Sequence, residues 1–584
     1  MAESVDAPVS EAGDHWVVGV QVPPSALIKT LSTKRVSSVL YFGTIIVIRL
    51  SNPIIQEKIM KSPLLKFGLP ALMLACASEE FAATKSADYG SEESYNDSDV
   101  SDSQSEPNAG DEGEFDDGLG SENESNFLAL RPATTDAYVF VANPDRNTVT
   151  RISVPSLEVL TVEVGVDPSL VETSADYSRA VTFNRGSDSV SVIAADSLDV
   201  VDVPVRSNLN QMKMSRDGKW AICYHDVSAE NGGQTSGGAI SFNAISIVDL
   251  EGLETHDSMA GAYPHDVQYT SDGEMAVVIS DDYLLKVDLS TEQPETTRIA
   301  IAEDLINPPR AEEVLLDPDG RYAIVRQYGV NELVLVDFMS GSSSQVSMIP
   351  VGANPTDMDV SPDGTQAIVV ARGDQELWIY DLSDPTSTPV VVPLPEEEVF
   401  GSLLLSPDNS LGVLYSTASG ESRMGVWDRY EEEITVRGLV KPIRSVDVSP
   451  TGETAVIFHP QENGDTPTNS QYYNRYALSL VDMSDFFTSA YQLAAEPDSF
   501  SSTEDGRIGF YTMKNQPYLE LIDYETFVPS EIRLPSNPVH LGTLPETDTA
   551  FVSQEHSLGR ISFFNTADQQ LQTITGFELN GAIE

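Results

Sequence analysis

The chain has 584 residues, 33 Lys and Arg against 91 Asp and Glu, a formal net charge of −58 and 2 Cys. That length exceeds one ordinary domain unless a repeat architecture absorbs it. The charge argues against nucleic acid as a partner, because phosphate binding rests on Lys and Arg displacing counterions, and two Cys build neither a disulfide framework nor a Cys-based zinc site.

The first apolar stretch, Val36 to Ile48, ends at Arg49 and is short for a spanning helix, which needs about 20 residues. The second follows an internal Met: basic Met60-Lys61-Ser62-Pro63-Leu64-Leu65-Lys66, then apolar Phe67 to Ala75, then Cys76. Basic, apolar, small residue, Cys is the order of a secretory signal. Leu72-Met73-Leu74-Ala75-Cys76 resembles the lipobox of bacterial lipoproteins. That resemblance implies that residues 60–75 are a signal peptide and that Cys76 carries the lipid, with residues 1–59 an upstream extension outside the mature protein. Several acyl chains on one Cys would hold a membrane firmly, at about 0.8 kcal/mol per buried CH₂. Ala77 is not the Asp associated with inner-membrane retention, so the same resemblance implies a lipid-anchored protein of the outer membrane or cell surface.

Residues 77–126 hold 16 acidic residues against one basic, Lys85. Such a stretch buries too little apolar surface to offset its chain entropy, and with Cys76 it is expected to form an acidic, disordered tether over 76–126.

From Phe127 onward one unit recurs. A polar turn such as Ser361-Pro362-Asp363-Gly364 leads into an alternating strand, Ala367-Ile368-Val369-Val370, then a second strand ending in Asp, Glu376-Leu377-Trp378-Ile379-Tyr380-Asp381, then a third. Asp-Gly turns supply the positive φ of tight connections, and period-2 apolar strands fill a sheet face. Ten anchors are found, at Asp136, Asp176, Asp217, Asp272, Asp319, Asp363, Asp408, Thr451, Asp505 and Asp548. A four-stranded antiparallel unit of this size cannot cover both its faces alone, so its neighbours must stack on it. The fold expected is all-β: a β-propeller over 127–584, which leaves only short, protected edges. Tyr138-Val139-Phe140-Val141-Ala142-Asn143 and Gly352-Ala353-Asn354-Pro355 resemble the YVTN-type repeats of lactonase-like propellers and of bacterial surface proteins.

Only the third and eighth intervals are long, 55 and 54 residues. Their insertions are alike: His225 with Glu230 and Asn231, and His459 with Glu462 and Asn463. The pairing implies duplication of a five-blade unit, giving either one ten-bladed ring or two five-bladed rings with halves 127–353 and 354–584. The absence of a linker at the middle favours one ring.

Catalytic constellations are missing: there is no G-x-S-x-G, phosphate loop or H-E-x-x-H. The insertions are the best candidate ligand-binding loops. His225, Glu230, His459 and Glu462 have the donor types for Zn²⁺, and Glu, Asn and Asp465 those for Ca²⁺ or another divalent cation, although a His at a strand end is more often structural. His265, Asp266 and His540, next to prolines that introduce inner strands, are candidates to face the channel. Cys223 lies in a strand interior and reads as core. The function expected is a cell-envelope binding scaffold for a protein, glycan or cation. The rivals are a lactonase-like or metal-dependent hydrolase and a structural surface-layer component.

Overall fold

The computed structural model describes residues 38–42, 45–49, 132–227, 243–317, 319–339, 345–395 and 398–577. Within the N-terminal unit, Met1–Glu80, Ser38–Phe42 pairs antiparallel with Ile45–Arg49, so the first apolar stretch forms paired strands. The signal segment, Cys76 and residues 77–126 lie outside the described residues.

From Ala133 to Thr575 the chain forms ten four-stranded antiparallel sheets, each built from four consecutive strands. We call them blades 1 to 10 and count strands outward from the ring axis. Blade 6 is representative: inner strand Pro355–Val360, then Gln366–Ala371, Glu376–Asp381 and outer strand Val390–Pro393. No α-helix occurs among the described residues.

The recurring turn joins the first strand to the second, and its side chains explain its spelling. Ser361 Oγ donates to Asp363 Oδ1 at 2.6 Å, the same carboxylate oxygen accepts the Thr365 amide at 3.1 Å, and Ser361 Oγ accepts the Gln366 amide at 3.0 Å. Gly364 completes the turn at φ +69, a conformation that L side chains resist. The same hydroxyl-to-carboxylate bond recurs at Ser174/Asp176, Ser215/Asp217, Thr270/Asp272, Ser406/Asp408 and Thr503/Asp505.

Ten apolar clusters fill ten gaps between blades, and two of them decide how the ring closes. Ile324 and Leu335 of blade 5 pack with Met358 and Val369 of blade 6, so the chain does not break into halves at its middle. Phe551 and Phe563 of blade 10 pack with Val139 and Ile152 of blade 1, so the last blade meets the first. Two five-bladed rings would instead pack blade 5 on blade 1 and blade 10 on blade 6. The protein is therefore a single ten-bladed β-propeller. Because every sheet is made of consecutive strands, ring closure rests on side-chain packing, at roughly 1.5–3 kcal/mol for each large apolar side chain buried.

The inner strands leave an unpaired edge, which is costly unless its backbone groups find partners. Side chains reach across from the neighbouring inner strand to supply them. Glu172 of blade 2 accepts the Met214 amide of blade 3 at 2.8 Å, and Asp357 of blade 6 accepts the Leu403 amide of blade 7 at 2.6 Å. Gln268 of blade 4 accepts the Leu316 amide at 3.1 Å and donates to the Val314 carbonyl at 2.6 Å, both on blade 5. Four inner strands open with a proline (Pro168, Pro355, Pro497 and Pro538), and each has a register shift directly after it. Proline has no amide to lose at such an edge, which is where the residue belongs in a sheet.

Candidate functional site

Two kinds of connection emerge on one face of the ring: the loops from second to third strand, and the crossings from each outer strand to the next inner strand. Both insertions are loops of the first kind, so this loop face carries most of the residues singled out from the sequence.

The blade 8 insertion, residues 460–476, is built around two buried polar side chains. His459 ends the strand Thr454–His459 and is fully buried. Its Nδ1 lies 2.8 Å from the Pro442 carbonyl and its Nε2 lies 2.7 Å from Ser479 Oγ. A carbonyl only accepts, so Nδ1 carries the proton and Nε2 accepts from the hydroxyl. Burial drives the imidazole pKa down to about 4, which keeps it neutral. Lys441 is also completely buried. Its ammonium donates to the carbonyls of Gln461 and Tyr472, both at 3.2 Å, and to Asn463 Oδ1 at 3.4 Å. Burial lowers its pKa, and Glu462 acts in the opposite sense. Asn463 thus receives the lysine, and also accepts the Asn474 amide at 2.7 Å, while Glu462 is exposed. Asp465 accepts the Ser422 hydroxyl and, at 3.3 Å, the Ser422 amide. The insertion is thereby fastened to the corresponding loop of blade 7.

In blade 3, His225 follows the strand Trp220–Tyr224 and repeats the first half of this arrangement, with Nδ1 2.8 Å from the Asn208 carbonyl. The second half differs. Ser246, the counterpart of Ser479, donates to Asp257 Oδ1 at 2.8 Å and accepts the Arg206 amide at 3.0 Å. Glu230 and Asn231 lie outside the described residues. Among the described residues no group of three His, Cys, Asp or Glu is arranged to hold a metal ion.

The three channel candidates take different places. Asp266 opens the inner strand of blade 4 and is buried. Desolvation raises its carboxyl pKa, and Lys213 on the neighbouring inner strand opposes the rise. His265 precedes that strand, half-buried, with Nδ1 3.3 Å from the Tyr263 carbonyl. His540 is half-buried in the inner strand of blade 10, opposite Ser553 just past a register shift. These residues are distributed around the ring, and no two of the three share a blade interface other than adjacent His265 and Asp266. Cys223 is buried in the core between blades 2 and 3, and desolvation raises its thiol pKa.

One feature of the loop face escaped the sequence reading. Tyr263 (50 % exposed), Leu305 (43 %), Ile306 (88 %) and Tyr328 (61 %) are exposed on three connections at blades 3 to 5. Exposure of a side chain on a crossing leaves no periodic trace in sequence, because crossings have no alternation to violate.

No family model and no curated protein matches the chain. Among solved structures, apo AztD from Citrobacter koseri is similar at 13% identity and TM-score 0.38, over 69% of this chain and 96% of that one. Dihydro-heme d1 dehydrogenase NirN in complex with DHE is similar at 14% and 0.41, over 69% and 76%. Kuenenia stuttgartiensis hydrazine synthase is similar at 20% and 0.28, over 53% and 96%. At those identities and scores the likenesses add nothing to the ring that the sheets themselves define: a ten-bladed β-propeller with an elaborated loop face.

Proposed function

We propose that this chain is a binding scaffold of the cell envelope: the ten-bladed ring, joined to a lipidated Cys76 by the acidic segment 77–126, presents its loop face to a protein partner. The observation that carries this reading is where the exposed apolar side chains lie. Among the described residues Tyr263, Leu305, Ile306 and Tyr328 lie on the loop face at blades 3 to 5, and Val166 and Val227 are exposed on that face as well, whereas on the opposite face Leu253, Met339, Tyr430 and Phe487 sit one each on third-to-fourth-strand turns. Scattered exposed apolar residues are ordinary; contiguous ones mark interaction sites. His459 uses both ring nitrogens inside the fold, Nδ1 on the Pro442 carbonyl and Nε2 on the Ser479 hydroxyl, which leaves it no nitrogen for a substrate or metal and favours a scaffold over a hydrolase centred there.

The test places a photo-crosslinking amino acid at position 306 or at position 430 of the full chain, in cells carrying either Cys76 or Cys76→Ser. Discrete protein adducts from 306 and none from 430, with fatty-acid label lost in Cys76→Ser, are expected. Adducts from 430 alone would overturn the assignment of the face, and label persisting in Cys76→Ser would overturn the anchor.

A further inference from the structure

Resting on the scaffold reading above, we infer that the loop face of blades 3 to 5 is a docking site for a protein segment whose apolar residues are flanked by Lys or Arg.

Hydrogen bonds join the segments of this platform that carry the exposed apolar side chains. Starting at the crossing from blade 3 to blade 4, the Ala262 amide donates to Asp282 Oδ1 at 2.8 Å, which ties Tyr263 to the second-to-third-strand loop of blade 4. That loop, Ser280 to Asp282, then holds both ends of the next crossing. The Ile301 amide donates to the Asp282 carbonyl at 3.0 Å, and the Ala311 amide donates to Asp281 Oδ1 at 3.1 Å. Beyond it the Tyr328 amide donates to the Arg310 carbonyl at 2.8 Å, which joins the corresponding loop of blade 5. Tyr263, Leu305, Ile306 and Tyr328 therefore stand on segments that are bonded each to the next.

The crossing is also set in shape. Asp304 Oδ1 accepts the amides of Ile306 at 2.9 Å and Asn307 at 3.3 Å, an Asx turn, and Pro308-Pro309 follow. A chain with that turn and two fixed φ angles has little freedom left to lose, so displaying Ile306 almost wholly in water has a purpose only if something covers it. Preorganised apolar anchors of this type carry most of the affinity at an interface.

Charge selects the occupant. Glu303 and Asp304 are exposed beside Leu305 and Ile306 in the chain, and half-exposed Asp281 holds the far end of the same crossing at Ala311. Arg310 and His265, the basic groups of the platform, both act on Asp281. The rim is thus left acidic on a chain of net charge −58. A second copy of this chain, or an anionic lipid surface, would be repelled by that field, whereas a basic-flanked segment is drawn to it.

The test selects ligands from a random peptide display library on the immobilised full chain and measures the selected peptides by fluorescence anisotropy against wild type, Ile306→Asp, Tyr328→Ser and the pair Glu303→Lys/Asp304→Lys. Selected sequences should carry apolar residues between Lys or Arg. Affinity should fall at least about tenfold in Ile306→Asp and Tyr328→Ser, and several-fold in the charge pair, with weaker salt dependence. Unchanged melting temperatures in all variants establish that the fold is intact. Peptides that bind the ring but ignore all four substitutions would overturn this site and leave the scaffold reading standing, while failure to select any ligand counts against the scaffold itself. Sedimentation of the full chain as a dimer that Ile306→Asp dissolves, or vesicle binding that it abolishes, would also overturn the proposal by naming a different occupant.

Discussion

Replacing Glu520 by Gln should stabilise the ring at alkaline pH and leave it unchanged in acid. Glu520 is a buried residue of the third strand of blade 9, directly opposite Tyr511 on one side and Glu531 on the other. Two carboxylates in register on adjacent strands repel. Burial first, and then Glu531, lift the Glu520 pKa from 4.5 to about 7. A raised carboxyl pKa means that the folded state binds more protons than the unfolded state between those values, so stability falls as pH rises through the window and the cost is complete above pH 7. At about 1.36 kcal/mol per pH unit the ceiling is roughly 3.4 kcal/mol. Water still reaches part of the group, and screening brings the expected gain of Glu520→Gln to about 2 kcal/mol. For a cooperative unit of about 450 residues, with an unfolding entropy near 2.1 cal/mol/K per residue, that is a rise in Tm of roughly 2 °C. Differential scanning calorimetry of wild type and variant at pH 8.5 and pH 4.5 reads it directly. The same difference at both pH values, or none at pH 8.5, would refute the reasoning.

His459→Gln should show the opposite slope. With a folded pKa of about 4, well below the unfolded value of 6.5, wild type should lose stability as pH falls from 6.5 to 4, by up to roughly 3 kcal/mol, and the variant should lack that loss in Tm-against-pH scans. Ring closure predicts coupling between the two ends of the repeat region. Phe551→Ala should cost about 3–5 kcal/mol, and a double-mutant cycle with Val139→Ala should return a coupling of about 0.5–3 kcal/mol, whereas additive effects would contradict the seam between blades 10 and 1. In the blade 4 turn, the Thr270 hydroxyl holds the Asp272 carboxyl below its usual range. Thr270→Val should therefore cost about 1 kcal/mol at neutral pH, and the deficit should shrink as pH falls below 3.8, toward the lowered value at which wild type protonates Asp272 and loses the same bond.

The fold was readable because its grammar is local. Ser361, Asp363 and Gly364 each have a task within six residues of chain, and the alternation of Ala367 to Val370 alone tells which side chains enter a blade interface. Ring closure was not readable in this way, since it depends on Phe551 meeting Val139 some four hundred residues earlier, and no local pattern records that contact. The candidate site was readable in position more than in role. The paired insertions are legible as the two long intervals, but a histidine, an asparagine and an aspartate near one another have the same spelling whether they bind a metal or fasten a loop. In blade 8 they fasten it: His459 to Pro442, Asn463 to Lys441, Asp465 to Ser422. Lys441 gave no signal because burial of a lysine depends on three carbonyl-type oxygens arriving from a segment twenty or more residues away. Glu172 and Asp357 look like surface acids in sequence, and their use as acceptors for a neighbouring strand edge follows only from the radial packing.

The two histidines carry the record of duplication further than repeat spacing does. Each spans 17 residues to reach a backbone carbonyl through Nδ1, at the same 2.8 Å, in blades five apart. Repeat spacing recurs at every blade, whereas among the described residues this bond accompanies the two insertions, which is what duplication of a five-blade unit predicts. The serines on the facing strand differ. Ser479 remains with His459, while Ser246 has turned to Asp257 and Arg206. The face that blade 3 shares with blades 4 and 5 is also the one that exposes Tyr263, Ile306 and Tyr328. In blade 8 Lys441 and Asp465 fasten the insertion to its neighbours.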